Sequence, residues 1–215
     1  MSTDVPTRRS DVRVGVPTGA APPAAAPVEH DLAGLPLGRA HRPGPSGAFG
    51  PGFWSSVDMA LVPAEGTVVA HLADRRLRFV PTSHGWVCSA GPHHRLTVAD
   101  RTWRLEVGTG RRTACATFDG HGLLSTWSSD SGSLRLRRDA RRRVIAIDHD
   151  AGRLQLDWAD DRVVQVAASD GRVATYTYGS HGASTGRLVS VRRPDGVVSY
   201  RWAGEHATRR HLAAL

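Results

Sequence analysis

Eleven histidines and two cysteines are the side chains of this 215-residue sequence from which a metal site could be built. The best candidate set is Cys88 with the adjacent pair His93 and His94. Zinc needs three or four converging ligands, and neighbouring residues of a β-strand point to opposite faces. The spacing therefore favours a surface loop, and the sequence predicts neither a metal site nor a bound cofactor.

Three further patterns with catalytic potential have simpler explanations. Asp148-His149-Asp150 could transfer protons, but it lies at a predicted hairpin tip, where Asp stabilises the turn. Gly108-Thr109-Gly110 is too short for a phosphate-binding loop, and no Lys follows it. No Gly-x-Ser-x-Gly motif of a serine hydrolase is present. We therefore expect a protein without catalytic residues, which is not an enzyme.

The net charge of +8 comes from 28 basic and 20 acidic residues, and the sequence contains neither Lys nor Asn. We attribute the exclusive use of Arg first to codon usage in a GC-rich genome. Six arginines between Arg135 and Arg143 form the densest basic run, but interleaved acidic residues favour solvated strand faces over an anion-binding stripe. Nucleic acid, which rests on net charge alone, ranks last among the expected partners.

The N-terminal part differs in composition from the rest of the chain. Residues 20–27 consist of Ala and Pro, and residues 1–45 are predicted to be a disordered leader and joint. Leu32, Leu35 and Leu37 are the first residues that we expect to pack against the folded part of the chain. No run approaches the roughly 18 apolar residues of a membrane helix, and no signal peptide is recognisable. The localisation stays open: the protein is synthesised in the cytoplasm, and export by a signal-independent route is left as an alternative.

From Phe49 onward the pattern is typical of β-strands. Glu65-Gly66 separates two apolar runs, as a turn between strands does. Residues 103–107 alternate apolar and charged side chains with a period of two, which predicts one buried and one solvated face. A helix is conceivable only in the tail, residues 205–215. The sequence predicts an all-β fold, an antiparallel meander of consecutive hairpins.

An internal repeat is the strongest feature of the sequence. Each predicted hairpin tip carries an acidic residue followed by Gly, with spacings of 20, 19 and 25 residues between the glycines, and residues 179–185 form an insertion that explains the longest spacing. A two-stranded hairpin is marginally stable alone, so each copy must continue the sheet of the previous copy. The tip residues are Asp130 and Gly132, Asp150 and Gly152, Asp170 and Gly171, and Asp195 and Gly196.

Aromatic residues end the second strands of the later copies. They could form a sugar-stacking platform, but their regular position at strand ends favours core or interface packing. These residues are Trp158, Tyr176, Tyr178, Tyr200 and Trp202.

Two motifs resemble the Rhs family of YD-repeat proteins. Residues 186–202, GRLVSVRRPDGVVSYRW, and the shorter stretches 150–154 and 169–178 are similar to the YD repeat G-R-L-x-x-V-x-x-x-D-G-x-x-x-x-Y-x-Y-D. Residues 49–58, FGPGFWSSVD, resemble the segment F-G-P-G-W-x-S-x-x-D that precedes such repeats. The resemblance covers about residues 30–203, and the residues of the second motif are Phe49, Gly50, Gly52, Phe53, Trp54 and Asp58.

The repeats depart from the family pattern in several places. The aromatic after Gly52 is Phe53, with Trp54 one place later, Gly179 stands where the repeat has Asp, and Trp202-Ala203 replaces Tyr-Asp. The resemblance implies a shell of β-sheet that encloses a C-terminal toxin. We therefore expect residues 46–120 to be an N-terminal β region, residues 121–203 to be YD-like repeats and residues 204–215 to be a tail. We expect this sequence to lack the core motif that closes the shell and the toxin itself.

The function that the resemblance implies is structural and non-catalytic, as a truncated part of a shell that encapsulates and delivers a toxin. The alternative is a surface or glycan-binding adhesion module built from YD repeats. A small β-propeller fits less well, since a blade takes about 40 residues. The last repeat strand, Val197–Trp202, is expected to leave an open edge with exposed Tyr200 and Trp202. This edge would pair with a downstream Rhs-type segment or with a second copy of the chain.

Overall fold

The computed structural model describes residues 28–41, 46–73, 75–109, 112–203 and 206–213, so residues 1–27 and 42–45 of the predicted leader and joint lie outside this part. Apart from two single-turn 3₁₀ segments, Ser56–Asp58 and Gly182–Ser184, all regular structure in the described residues is β. Among these residues there is no helix of the length and apolar character that crossing a membrane requires.

Nineteen short strands follow one another along the described chain. They are β1 (Val28–His30), β2 (Gly38–His41), β3 (Phe53–Ser55), β4 (Ala60–Ala64), β5 (Thr67–His71), β6 (Arg76–Thr82), β7 (Gly85–Cys88), β8 (His94–Ala99), β9 (Thr102–Thr109), β10 (Arg112–Phe118), β11 (Leu124–Ser129), β12 (Gly132–Arg138), β13 (Val144–His149), β14 (Gly152–Ala159), β15 (Arg162–Ala168), β16 (Val173–Tyr178), β17 (Leu188–Arg193), β18 (Gly196–Ala203) and β19 (His206–Ala213).

Two sheets contain all of these strands. The first is the three-stranded sheet β1-β2-β3, and the second has 16 strands in the unbroken order β4 to β19. Each strand of the large sheet is antiparallel to its neighbours; Glu65-Gly66, for example, is the turn between the paired residues Ala64 and Thr67. The predicted all-β meander of consecutive hairpins is confirmed.

The large sheet curls until its first strand touches its eighth. The amide of Leu61 donates to the carbonyl of Gly122 at 2.8 Å, and Leu124 donates to Met59 at 3.3 Å. Gly122 has φ +76°, and a Cβ atom there would lie 2.2 Å from the carbonyl oxygen of Leu61. Only Gly permits this approach of β4 to the start of β11.

The curl gives the large sheet an inner face, which carries the core. Alternate residues of each strand are buried on this face, and Leu105, Phe118, Leu124, Leu154 and Leu188 have no exposed surface. The intervening residues form the outer face and are mostly polar or charged, as the period of two requires.

The tail differs from its prediction. Strand β19 pairs with β18 along its whole length, from Gly196 opposite Ala213 to Ala203 opposite His206. The helix considered for this tail is therefore wrong, and Val197–Trp202 is not the edge of the sheet. Residues 206–213 contain neither Gly nor Pro. They extend along the edge of β18, which offers its backbone groups for antiparallel pairing.

The boundary expected at residue 45 is also placed too late. Strands β1 and β2 already lie within residues 28–41, and Leu32, Leu35 and Leu37 are buried in the main core. Local composition does not reveal this order, because residues of this segment have partners more than 100 positions later in the sequence, such as Arg172 for Ala33 and Tyr200 for Arg39. We call residues 28–58, with strands β1 to β3, the N-terminal unit.

Candidate functional site

The repeat consists of four hairpins, β11–β12, β13–β14, β15–β16 and β17–β18. Each hairpin joins the preceding strand through a register shift, and these shifts lie 20 residues apart at Phe118, Arg138, Trp158 and Tyr178. A shift of this kind bends the strand and increases its twist. The regular spacing therefore distributes the curvature of the sheet evenly over the repeat.

The side chain that ends each hairpin satisfies a backbone carbonyl at the start of the same hairpin. In every hairpin this carbonyl lies two residues before the ladder to the next strand begins, so the sheet does not pair it. A buried carbonyl without a partner would be costly. The bonds are Arg138 Nη1 to Leu124 O at 2.5 Å, Trp158 Nε1 to Val144 O at 2.8 Å, Tyr178 OH to Val163 O at 2.6 Å and Trp202 Nε1 to Leu188 O at 2.8 Å.

An arginine at or just before the first strand covers the aromatic ring of the same hairpin. The guanidinium carbons lie 4.7 to 5.7 Å from the ring centroids, which is the range of cation–π contacts. The pairs are Arg143 with Trp158, Arg162 with Tyr178 and Arg187 with Trp202. Arginine side chains of the same hairpins cover these rings, so the rings do not form the exposed platform that sugar stacking needs.

The predicted tip residues lie in the turns of the four hairpins. All four tip glycines have positive φ, from +88° at Gly171 to +137° at Gly196, which Gly adopts without strain. Asp150 accepts hydrogen bonds from the amide and hydroxyl of Ser133, and these bonds lower the pKa of its carboxyl. Asp170 binds Arg172, which lowers the pKa of Asp170 in the same way. The remaining tip residues, Asp130, Gly132, Gly152 and Asp195, occupy the equivalent turns or strand starts.

The FGPG segment brings the N-terminal unit onto the inner face of the later hairpins. Gly50 and Gly52 have φ of +79° and +87°, and a Cβ atom on Gly52 would lie 2.6 Å from the ring of Trp202. Phe49 and Phe53 are buried, and the Phe53 ring packs edge-on against Tyr200 at 5.1 Å. The close approach therefore explains both glycines and the two phenylalanines of the motif.

The end of the same motif is a capping structure around a buried carboxylate. Asp58 accepts hydrogen bonds from the amide of Ala48 at 2.7 Å and from the amide and hydroxyl of Ser55. Burial raises the pKa of Asp58 and outweighs the lowering effect of these bonds. Trp54, four residues before Asp58 in the chain, packs against His71 with ring centroids 5.7 Å apart. The Ser-x-x-Asp spacing thus fixes the 3₁₀ turn Ser56–Asp58.

Arg39 lies at the centre of the interface between the N-terminal unit and the large sheet. The sequence interpretation did not single out this residue. Its side chain is 1% exposed and binds Asp31 through two hydrogen bonds of 2.7 and 2.8 Å. It also donates to Glu29 at 3.2 Å and to the hydroxyl of Tyr200 at 2.8 Å. Burial alone lowers the pKa of Arg39, but the hydrogen bond and charge of Asp31 outweigh it and raise the pKa, so the guanidinium is charged.

Two tyrosines of the repeat complete this network from the large sheet. The hydroxyl of Tyr176 donates to Asp31 at 3.0 Å, and that of Tyr200 donates to Glu29 at 2.5 Å. Burial raises the pKa of both hydroxyls, which keeps them protonated as donors. The two earlier hairpins have Leu136 and Leu156 at this position. Tyrosine therefore replaces leucine only in the hairpins that contact the Arg39 network.

The described residues contain no group of three or more His, Cys, Asp and Glu side chains that could hold a metal ion. Cys88 is buried, and His93 and His94 lie at the start of β8 without further ligands. Asp148-His149-Asp150 lies at the end of β13, where His149 Nδ1 accepts a hydrogen bond from the amide of Ala151.

Comparison of the chain with models of known protein families finds no match, and a search of curated proteins finds none either. The architecture and the contacts described above are therefore the basis for any functional proposal.

Proposed function

We propose that the chain is a non-catalytic wall segment of an Rhs-like β-sheet shell, whose role is to enclose a toxin. The observation that carries this proposal is the large sheet itself. Its 16 strands follow the chain order without a crossover, and bulges recur at a constant interval in its repeat part. Such a sheet grows by adding hairpins, each of which contacts only its neighbours.

The N-terminal unit supports this proposal because it covers the inner face of the later hairpins. Besides the Arg39 network, the amide of Val163 donates to the carbonyl of Ala48, and the side chain of Arg172 donates to the carbonyl of Ala33. A unit that seals one region of a concave face is what the start of a closed shell requires.

In this proposal the wall continues at β19, which is the last strand of the sheet order. A β-rich polypeptide of the same shell, or the toxin that it encloses, would add its first strand there by antiparallel pairing. The charge of the chain plays no part in this contact, since backbone hydrogen bonds supply its affinity.

The test is site-specific photo-crosslinking in the source cells. A crosslinking amino acid is placed at position 208 in β19, and the control is position 97 in β8, which lies between two paired strands. We expect position 208 to capture a β-repeat or toxin polypeptide that position 97 does not capture. Equal capture at both positions, or a chain that stays free in the cells, refutes the wall segment.

A further inference from the structure

Trp127 differs from the aliphatic residues that the other three repeat hairpins have at its position on the inner face. At the equivalent position of the three later hairpins the residues are Ile147, Val166 and Val191, which are at most 1% exposed. Trp127 is only partly buried. Its indole nitrogen makes no hydrogen bond within the described residues, whereas the nitrogens of Trp158 and Trp202 are bonded to backbone carbonyls.

Trp127 lines a cavity of about 260 Å³ between the N-terminal unit, the β5–β6 loop and the tip of β11–β12. A second cavity of about 220 Å³ shares Trp127, Ser129 and Ser131 with the first. Met59, Leu72 and other apolar residues line the first cavity beside the indole. The indole thus forms a wall that two cavities share, and it is partly buried like the other five tryptophans of the chain.

The described residues that line the first cavity carry hydroxyl and imidazole groups as their polar side chains. They include serine and histidine but no Asp, Glu, Lys or Arg, in a chain with 22% charged residues, whereas Asp130 lines the second cavity. His149 Nδ1 accepts the amide of Ala151, so its Nε2 carries a proton and is free to donate. The hydroxyls of Ser129 and Ser131 lie 2.7 Å apart and bind each other. The first cavity therefore offers donors and acceptors around an apolar aromatic wall, without a carboxylate or guanidinium group among its described lining residues.

From this geometry we propose that the Trp127 cavity binds one ring of a neutral saccharide, a hexopyranose unit. One face of such a ring exposes C–H bonds, which pack on the electron-rich face of an indole. The hydroxyls at the ring edge match the serine hydroxyls and His149 Nε2. The volume is below the roughly 300–1,000 Å³ of pockets for drug-sized ligands, which suits a single ring. The uncharged lining disfavours sialic and uronic acids.

The site is independent of the proposed wall function, since it lies at a hairpin tip and uses none of the residues of β19. It also differs from the platform of strand-end aromatic residues expected from the sequence, whose rings are covered by arginines. The exchange of an aliphatic residue for Trp in one hairpin alone is the feature that marks it.

Saturation-transfer NMR and calorimetry on the full chain test the site, with methyl glucoside, methyl galactoside and methyl N-acetylglucosaminide as neutral probes and a methyl glucuronide as the charged probe. We expect at least one neutral probe to bind with a dissociation constant on the order of 1 mM, with saturation strongest on the ring C–H protons. Binding of none of the neutral probes, or preference for the glucuronide, overturns the proposal.

Trp127→Ile installs the residue type that the repeat has at this position, so the fold should tolerate it. We expect this variant to weaken binding at least about tenfold, since one good contact of 1.4 kcal/mol corresponds to that factor. The matched control is Ser128→Ala, the next residue along β11, which points to the outer face. If Trp127→Ile does not fold, Ser129→Ala with Ser131→Ala must weaken binding instead. Unchanged binding in the folded variant refutes the assignment.

Discussion

Replacing Arg39 with Met is expected to destabilise the protein more than any other single change of a charged residue. The variant keeps a long side chain but leaves the carboxylate of Asp31, a residue that is 5% exposed, without its cationic partner. Removing one partner of a buried ion pair costs about 3–5 kcal/mol. Since the free energy of unfolding of a domain is about 5–15 kcal/mol, a large part of the stability should be lost.

Urea unfolding followed by near-ultraviolet circular dichroism measures this change, because Tyr200 and the aromatic residues around it lie at the interface. The control is Arg104→Met, which removes an exposed ion pair with Glu106 and should cost at most about 1 kcal/mol. The double variant Arg39→Met with Asp31→Leu removes both charges and should recover part of the loss. Equal stability of Arg39→Met and Arg104→Met would refute the argument that the buried pair holds the N-terminal unit in place.

Three further predictions concern the repeat and its surroundings. Trp158→Phe keeps an aromatic side chain, with a smaller ring, but removes the hydrogen bond from Nε1 to the carbonyl of Val144. It should lower the free energy of unfolding by about 1–3 kcal/mol in urea titrations, the cost of one unsatisfied buried carbonyl; no change would mean that water replaces the bond. Gly122→Ala should destabilise the fold more than Gly171→Ala, because both glycines have positive φ but only at Gly122 would a Cβ atom collide with backbone, 2.2 Å from a carbonyl oxygen; equal midpoints would contradict the contact of β4 with β11. Asp58→Asn should flatten the pH dependence of stability above pH 3.8. In this window the raised pKa of Asp58 makes the native state bind more protons than the unfolded state, so wild-type stability falls as pH rises. Parallel pH profiles of the urea midpoints of wild type and variant would refute this prediction.

The meander was predictable from the sequence because both of its signals are local. Alternating polarity defines each strand, and an Asp and Gly pair marks each tip of the repeat. The tail was not predictable in the same way. Residues 206–213 carry no clear alternation, and they form a strand because β18 presents an unpaired edge beside them.

The N-terminal unit illustrates the second limit of sequence reasoning. Arg39 lies in a short segment that follows an Ala- and Pro-rich stretch, and its partner Tyr200 is 161 positions away. A local pattern cannot indicate such a contact. The change from leucine to tyrosine at residues 176 and 200 was a visible signal that these two hairpins face something polar.

Trp127 could have been found from the sequence alone. Aligning the first strands of the four hairpins places it in a column with Ile147, Val166 and Val191, where its size stands out. The strand-end aromatic residues form a regular pattern, whereas Trp127 is a single exchange within its column. A residue that differs from its equivalents in the other copies of a repeat is therefore a better indication of a binding site than a residue that recurs in every copy.

The 20-residue interval between bulges has a consequence for how genes of this kind can change. An in-frame duplication or deletion of 60 nucleotides adds or removes one whole hairpin, and every later side chain keeps its face. The longer loop at residues 179–187 shows where extra length is accommodated, since Gly179 and Thr185 close it with a bridge of their own. Unequal recombination between copies can therefore lengthen or shorten the sheet in steps, and each step adds or removes one hairpin.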